Sequence, residues 1–210
     1  MQPVPTTERA PAPPKGIASR LWSAARTEFS MRGYHGARVQ GIARRAGCNV
    51  ALLYRHWASK KALYLDVLGS VWTSSNSAVA KLLEQTGGAP GVVAAYLDAL
   101  LDDPEGGQIL VREYLDGAPF LSQLIERDPS VVEPLRRAVA ALAHGNGSSL
   151  RPGLDPLMAA VTIGGVAALA ASAQEAARPF FESPPPRETW RNHLSDLLLH
   201  GLLRPGLDGR

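Results

Sequence analysis

Residues 21–63 read LWSAARTEFSMRGYHGARVQGIARRAGCNVALLYRHWASKKAL, and the punctuation of this stretch decides the fold. Ile17, Leu21, Ala24, Ala25 and Phe29 recur at helical spacing on one stripe, while Arg20, Arg26 and Arg32 stay largely off it. A helix over 17–32 is expected, with Gly33 ending it because glycine readily takes the left-handed conformation that releases the chain into a turn. The spacing predicts a second helix over 39–46, with Ile42, Ala43 and Ala46 inward and Gly47 as its stop. Asn49 then suits the N-cap of a third helix whose buried side holds Leu53 and Trp57. Ser59 suits the cap of a fourth, carrying Leu63, Tyr64, Val67, Leu68, Val71 and Trp72. Two short helices joined by a tight, glycine-containing turn inside a basic stretch form the sequence signature of a helix-turn-helix.

Charge supports a polyanionic partner for this end of the chain. The 210 residues carry a formal net charge of only +3. Residues 1–72, however, hold 11 of the 22 Lys and Arg but only 3 of the 19 Asp and Glu, a balance of +8 that leaves −5 on the remaining 138 residues. Such asymmetry between parts points to nucleic acid or another polyanion. A single cysteine, Cys48, excludes an internal disulfide and a cysteine-based zinc site. With no resolving partner and an inward position in the turn, Cys48 reads as structural rather than as a redox sensor.

Beyond the head, spacing near three and four residues continues without sustained alternation, so the whole chain reads as all-α. Residues 1–15, MQPVPTTERAPAPPK, read as a disordered Pro-rich arm with no apolar run long enough for a signal peptide. Residues 16–62 form the expected three-helix helix-turn-helix domain and 63–205 a larger helical body. From about residue 73 the texture changes, and Pro and Gly clusters cut the body into helices near 90–101, 108–116, 119–127, 129–144, 154–177 and 187–203. The uncharged stretch Pro156 to Gln174 is marginal in length for a membrane span and rich in Ala, Gly, Thr, Ser and Val; a tightly packed helix away from any membrane is the expectation. Metalloprotease, phosphate-loop and nucleophile-elbow patterns are missing and the five histidines are scattered, so no enzyme, catalytic residue, metal or cofactor is expected.

The run Leu21 to Leu63 resembles the DNA-binding domain of TetR-family transcriptional regulators. The matching elements are Ala24-Ala25 and Phe29, Gly33-Tyr34, Ile42-Ala43 with Ala46-Gly47, Leu53-Tyr54 with His56, and Ser59-Lys60 before Ala62-Leu63. The resemblance implies that the helix from Val50 to His56 lies in the major groove while the preceding helix crosses phosphates. With Leu53 and Trp57 inward, a step of about 100° per residue turns Ala51 and Arg55 outward, flanked by Leu52 and Tyr54. Arg55 reads guanine or holds a phosphate; Ala51 and Leu52 offer only apolar contact, for instance with a thymine methyl. Tyr54, His56 and Lys60 match family positions that hold phosphates, as do Val39, through its backbone N–H, and Gln40, which also reaches toward a base edge. Asn49 and Val50 complete the candidate set at the start of the reading helix. Arg38 departs from the pattern, standing where a capping Ser or Thr is usual, and its guanidinium can reach a phosphate instead. Val50-Ala51-Leu52 is poor in hydrogen-bonding groups for base discrimination.

The same resemblance implies a homodimer formed by the last two helices. The small residues Ala160, Gly164 and Ala168 and the stripe Trp190, Leu194, Leu197 and Leu198 read as half of a four-helix bundle completed by a second subunit. It also implies a small-molecule site in the body, for which Trp72, Tyr96, Tyr114, Phe120 and His144 are candidates and an apolar or amphipathic compound the expected ligand. The expected function is a cytoplasmic, ligand-responsive repressor on a pseudo-palindromic operator. The alternative is a non-enzymatic helical oligomer whose basic head binds an acidic protein or an anionic membrane.

Overall fold

The computed structural model describes residues 16–86, 88–144 and 150–202; the Pro-rich arm and the last residues of the expected body lie outside them. Among the described residues every regular element is helical. The head comprises α1 (Ile17–Gly36), α2 (Val39–Arg45) and α3 (Val50–His56). Gly33 departs from helical geometry at φ 65° and ψ −179°, a backbone open essentially to glycine alone, so the stop expected at 33 is a kink followed by one more turn. Gly47, at φ 65°, releases α2. The Asn49 side chain accepts the Leu52 N–H at 3.0 Å and that of Ser59 accepts the Ala62 N–H at 3.0 Å, so both expected caps are formed. Arg38 precedes α2 with extended backbone and no side-chain cap.

Helix α4 (Lys60–Thr86) runs well beyond Trp72, so the change of texture near residue 73 is not a helix end. Its inner residues there, Ser75, Asn76 and Val79, are buried, and tertiary packing keeps the polar segment helical. The body continues through α5 (Gly88–Leu101), α6 (Pro104–Leu115), α7 (Pro119–Arg127), a 3-10 turn over Pro129–Val132, α8 (Glu133–His144), α9 (Pro156–Ala177), a second 3-10 turn over Arg178–Phe180, and α10 (Arg187–Leu202). One continuous core joins head and body, from Leu21, Phe29, Ile42 and Leu53 to Leu97, Ile109, Leu142 and Ile163. Helix α10 is pinned to α5 by charge: Asp98 accepts from Arg191 Nε at 2.6 Å and from Arg187 Nη2 at 3.1 Å. Burial alone would raise the Asp98 carboxyl, but the two guanidinium groups outweigh it and hold the pKa below the usual carboxylate range.

The structure corrects the expected role of the small residues of α9. Ala160 and Ala168 are 1% and 0% exposed within the protomer, and Gly164 lies against the Tyr96 ring, where a Cβ would come 3.4 Å from Cε1. Small side chains permit close helix approach, and here that approach is made inside one chain. A Cβ at Gly107 of α6 would stand 3.0 Å from both the Ala168 carbonyl and the Ala171 Cβ. Trp190, Leu194 and Leu198 also pack, partly buried, against the protomer's own core. What α9 and α10 leave exposed is Leu157, Met158, Val161, Leu169 and Leu197. The stretch Pro156–Gln174 is long and apolar enough to cross a bilayer, with mean hydropathy 1.7, yet its small-residue side is buried against α5, α6 and α8.

Because α6 and α9 meet through Gly107, Gly107→Val is expected to destabilise the fold by about 2 kcal/mol through overpacking. A urea midpoint equal to that of the unmodified chain would contradict this close approach.

Candidate nucleic-acid interface

Helix α3 is seated by its two inward residues and presents the rest. Leu53 is fully buried, and Trp57, just past the helix end, is buried with its indole N–H donating to Asp66 at 3.0 Å. Ala51, Tyr54, Arg55 and His56 are exposed, with Tyr54 at 50%. Asn49 is exposed but uses its side chain as the cap, and Val50 is half-buried. Leu52 also turns partly inward and packs against the core, so less of it faces outward than the 100° step suggests. On α2, Arg38 and Gln40 are exposed, while Val39 packs partly against the core and leaves its backbone facing the helix start.

Lys60 stands apart from the others. Its ammonium donates to the carbonyls of Tyr34 at 2.8 Å and Ala37 at 3.1 Å and sits over the Tyr34 ring, 4.4 Å from the centroid. It ties the start of α4 to the end of α1 and the entry to α2. A positioning role through that turn fits this geometry better than the direct phosphate contact expected of it.

The only acids between residues 16 and 72 are Glu28 and Asp66, and both are engaged inside the head. Glu28, 6% exposed, takes Arg32 at 3.0 Å and Arg45 at 3.8 Å. It lies under α2, where a Cβ on Gly41 would come 3.0 Å from its carboxylate. Arg20, Arg38, Arg44, Arg55 and Lys61 remain exposed, so the outward surface is one of basic and hydrogen-bonding groups. The sequence reading passed over Glu28, although its being one of two acids in a basic head was a signal available there.

Head and body are coupled through α6. Arg26 of α1 pairs with Asp103 and lies 3.7 Å from Glu105. Arg112 donates to the carbonyls of Ser30 and Met31, each at 3.0 Å, just before the Gly33 kink. Glu113, 2% exposed, accepts from the Tyr64 hydroxyl at 3.0 Å and from the backbone N–H of Phe120 and Leu121 at 2.7 and 2.8 Å. None of these body residues was singled out from sequence, because each works through a partner distant in the chain.

Of the candidate ligand residues, Trp72, Tyr96 and Tyr114 line one cavity, together with Ser75, Asn76 and residues of α5, α6, α8 and α9. Its volume is about 30 Å³, enough for a water or two. Phe120 is elsewhere: it packs on Tyr34 and Tyr64, at 4.4 and 4.9 Å between ring centroids, and so belongs to the junction of head and body. The side chain of His144 lies outside the described residues.

Tyr64→Phe removes one donor from the buried Glu113 carboxylate and is expected to cost about 1 to 3 kcal/mol. Chemical denaturation measures this, and a loss below a few tenths of a kcal/mol would mean that the hydroxyl does not serve Glu113.

Residues 21–67 match the model of the bacterial regulatory proteins of the tetR family. The chain is 30% identical to the HTH-type transcriptional regulator RutR of Escherichia coli over 111 residues, 51% of this chain and 52% of the relative. It is 32% identical over 133 residues to the HTH-type transcriptional repressor Rv3405c of Mycobacterium tuberculosis, covering 62% and 64% of the two chains. The matched stretch thus spans about half to two thirds of the length of these relatives. In fold, the chain is similar to the transcriptional regulator FadR of Bacillus subtilis solved with stearoyl-CoA, with a TM-score of 0.63 at 18% identity over 87% of this chain and 97% of that one. The helix-turn-helix thus lies inside the residues that match the tetR-family model, and the all-helical body behind it is similar in fold to that of a solved bacterial transcriptional regulator.

Proposed function

We propose that the chain is a ligand-responsive transcriptional repressor that binds a pseudo-palindromic operator as a homodimer in the cytoplasm and is released by a small molecule. The observation that carries the reading is the outward face of α3: Ala51, Tyr54, Arg55 and His56 are exposed on a basic head whose two acids are turned inward. In this reading residues 16–62 dock on DNA and 63–205 bind the ligand and the second subunit. Arg55 reads a base or holds a phosphate, with Arg38, Gln40, Tyr54 and His56 on the backbone and Ala51 and Leu52 against base edges. Repression is favoured by the mycobacterial relative, which is named a repressor. A ligand is favoured by the body cavity and by the stearoyl-CoA bound to the Bacillus subtilis regulator of similar fold.

The dimer face proposed is the one α9 and α10 leave uncovered. Met158, Val161, Leu169 and Leu197 are 54% to 72% exposed, and large apolar groups left in water favour an interface. A two-fold axis there sets two copies of α3 roughly 34 Å apart, one turn of DNA. Leu169→Glu is expected to convert the protein to monomer in sedimentation at micromolar concentration; a dimer unaffected by it would place the interface elsewhere.

Selection of bound DNA from a random pool is expected to return an inverted repeat, whereas indiscriminate capture of any polyanion would favour the alternative reading of an acidic-protein or membrane binder. On the selected site, Arg55→Ala is expected to cost about 1 to 3 kcal/mol and relax preference at one position if it reads a base. Lys60→Met should weaken all sequences alike through the loosened turn while leaving the salt dependence unchanged. A slope shallower by about one unit would instead make Lys60 a direct phosphate contact.

A further inference from the structure

We infer that the cavity between α4, α5, α6 and α9 selects an uncharged ligand bearing a single polar group, and that Asn76 and Tyr96 are the pair that recognises that group. The inference rests on the reading of the body as ligand-binding and names what that body takes. Among the described residues, no acidic or basic side chain lines the cavity. A charged headgroup entering it would shed its water with no opposite charge to receive it.

The polar groups that do line it are few and partly committed. Ser75 donates to the Val71 carbonyl at 3.0 Å. Asn76, 3% exposed, donates to the Trp72 carbonyl at 2.7 Å and accepts the Tyr96 hydroxyl at 3.1 Å. An amide has two N–H groups and a phenol can accept as well as donate, so the pair retains one donor and one acceptor for a hydroxyl, carbonyl or amide on a guest. Burial holds the Tyr96 phenol well above its ordinary pKa, which keeps it protonated and neutral.

The rest of the lining is shaped for a flat apolar body. Trp72 and Tyr96 supply aromatic walls, and Gly164 lets the backbone of α9 lie close beside the Tyr96 ring, since a Cβ there would be 3.4 Å from it. Tyr114, 42% exposed, is the lining residue that opens to solvent away from the proposed dimer face and marks the mouth. The room of about 30 Å³ is smaller than a benzene ring needs, so a guest must displace lining side chains, of which Tyr114 stands at the mouth.

Phenol, benzoate and benzylammonium, probes of similar size with neutral, anionic and cationic heads, test this on the full chain at pH 7 by calorimetry. Phenol is expected to bind at about millimolar concentration and the two ions about a hundredfold more weakly. Gly164→Leu fills the space and should abolish phenol binding. Should that variant fail to fold, Tyr96→Phe keeps the ring and is expected to weaken phenol about tenfold while leaving toluene, which lacks the hydroxyl, unchanged. Failure of phenol to bind, either ion binding as tightly as phenol, or full phenol affinity in the folded variants would overturn the inference. Phenol bound in the cavity with no effect on DNA affinity would leave the ligand class standing and sink the ligand-responsive reading instead.

Discussion

The junction of head and body depends on one buried carboxylate. Glu113 is 2% exposed, and a carboxylate taken out of water is costly unless hydrogen bonds replace its solvation. Three donors do so: the Tyr64 hydroxyl from α4 and two backbone N–H groups at the start of α7. Helix α7 cannot cap itself, because the residue before it is Ala118, held at φ 56° with no side-chain acceptor. Glu113 therefore caps a neighbouring helix, and its negative charge stands at the positive end of that helix. Moving α4, α6 or α7 independently would strand the carboxylate, so the three move as a unit. Phe120 of α7 is thereby held in the aromatic group of Phe29, Tyr34 and Tyr64, which reaches back into the head.

Helix α6 extends the same constraint to α1. Regular helices leave their last carbonyls unpaired, and α1 breaks its geometry at Gly33; Arg112 supplies donors to the carbonyls of Ser30 and Met31 just ahead of that break. Arg26 answers Asp103 from the other end of the contact. The opposing charges of the two parts are thus used locally, with Arg26 of α1 set against Asp103 and Glu105 at the start of α6. The basic groups of α2 and α3 are left outside this pairing.

What was legible in the sequence follows a physical rule of range. Gly47 as a stop, Asn49 and Ser59 as caps, and Leu53 with Trp57 as the inward pair are set by bonds and spacings within a few residues, and each appears where it was read. Gly33 was legible as a break but not as a kink, because the continuing turn depends on the carbonyls that Lys60 and Arg112 hold. The length of α4 was hidden by the polar run after Trp72, which is helical because Ser75 and Asn76 are buried against other helices. The direction of α9 was hidden for a different reason. A helix of small residues has almost no apolar contrast between its faces, so periodicity cannot say which face approaches a neighbour; Gly107 on α6 decides that. Glu113 and Arg112 look like any surface charge until their distant partners are in place.

Helix α6 also joins the cavity to the head within a single turn. Leu110 and Tyr114 line the cavity, and between them in sequence Arg112 and Glu113 grip α1, α4 and α7. A helical turn is stiff and its hydrogen-bonded side chains have discrete partners, so a displacement of Tyr114 large enough to admit a guest cannot be absorbed without bearing on those grips. For the repressor proposed above, such coupling would run both ways, since linkage makes the effect of a guest on DNA affinity equal to the effect of DNA on guest affinity. In that reading a head held on an operator would resist the opening of the cavity by the same free energy with which an occupied cavity would disfavour the operator. The small volume of the cavity and the tightly bonded Arg112 and Glu113 are two aspects of one conformation of α6.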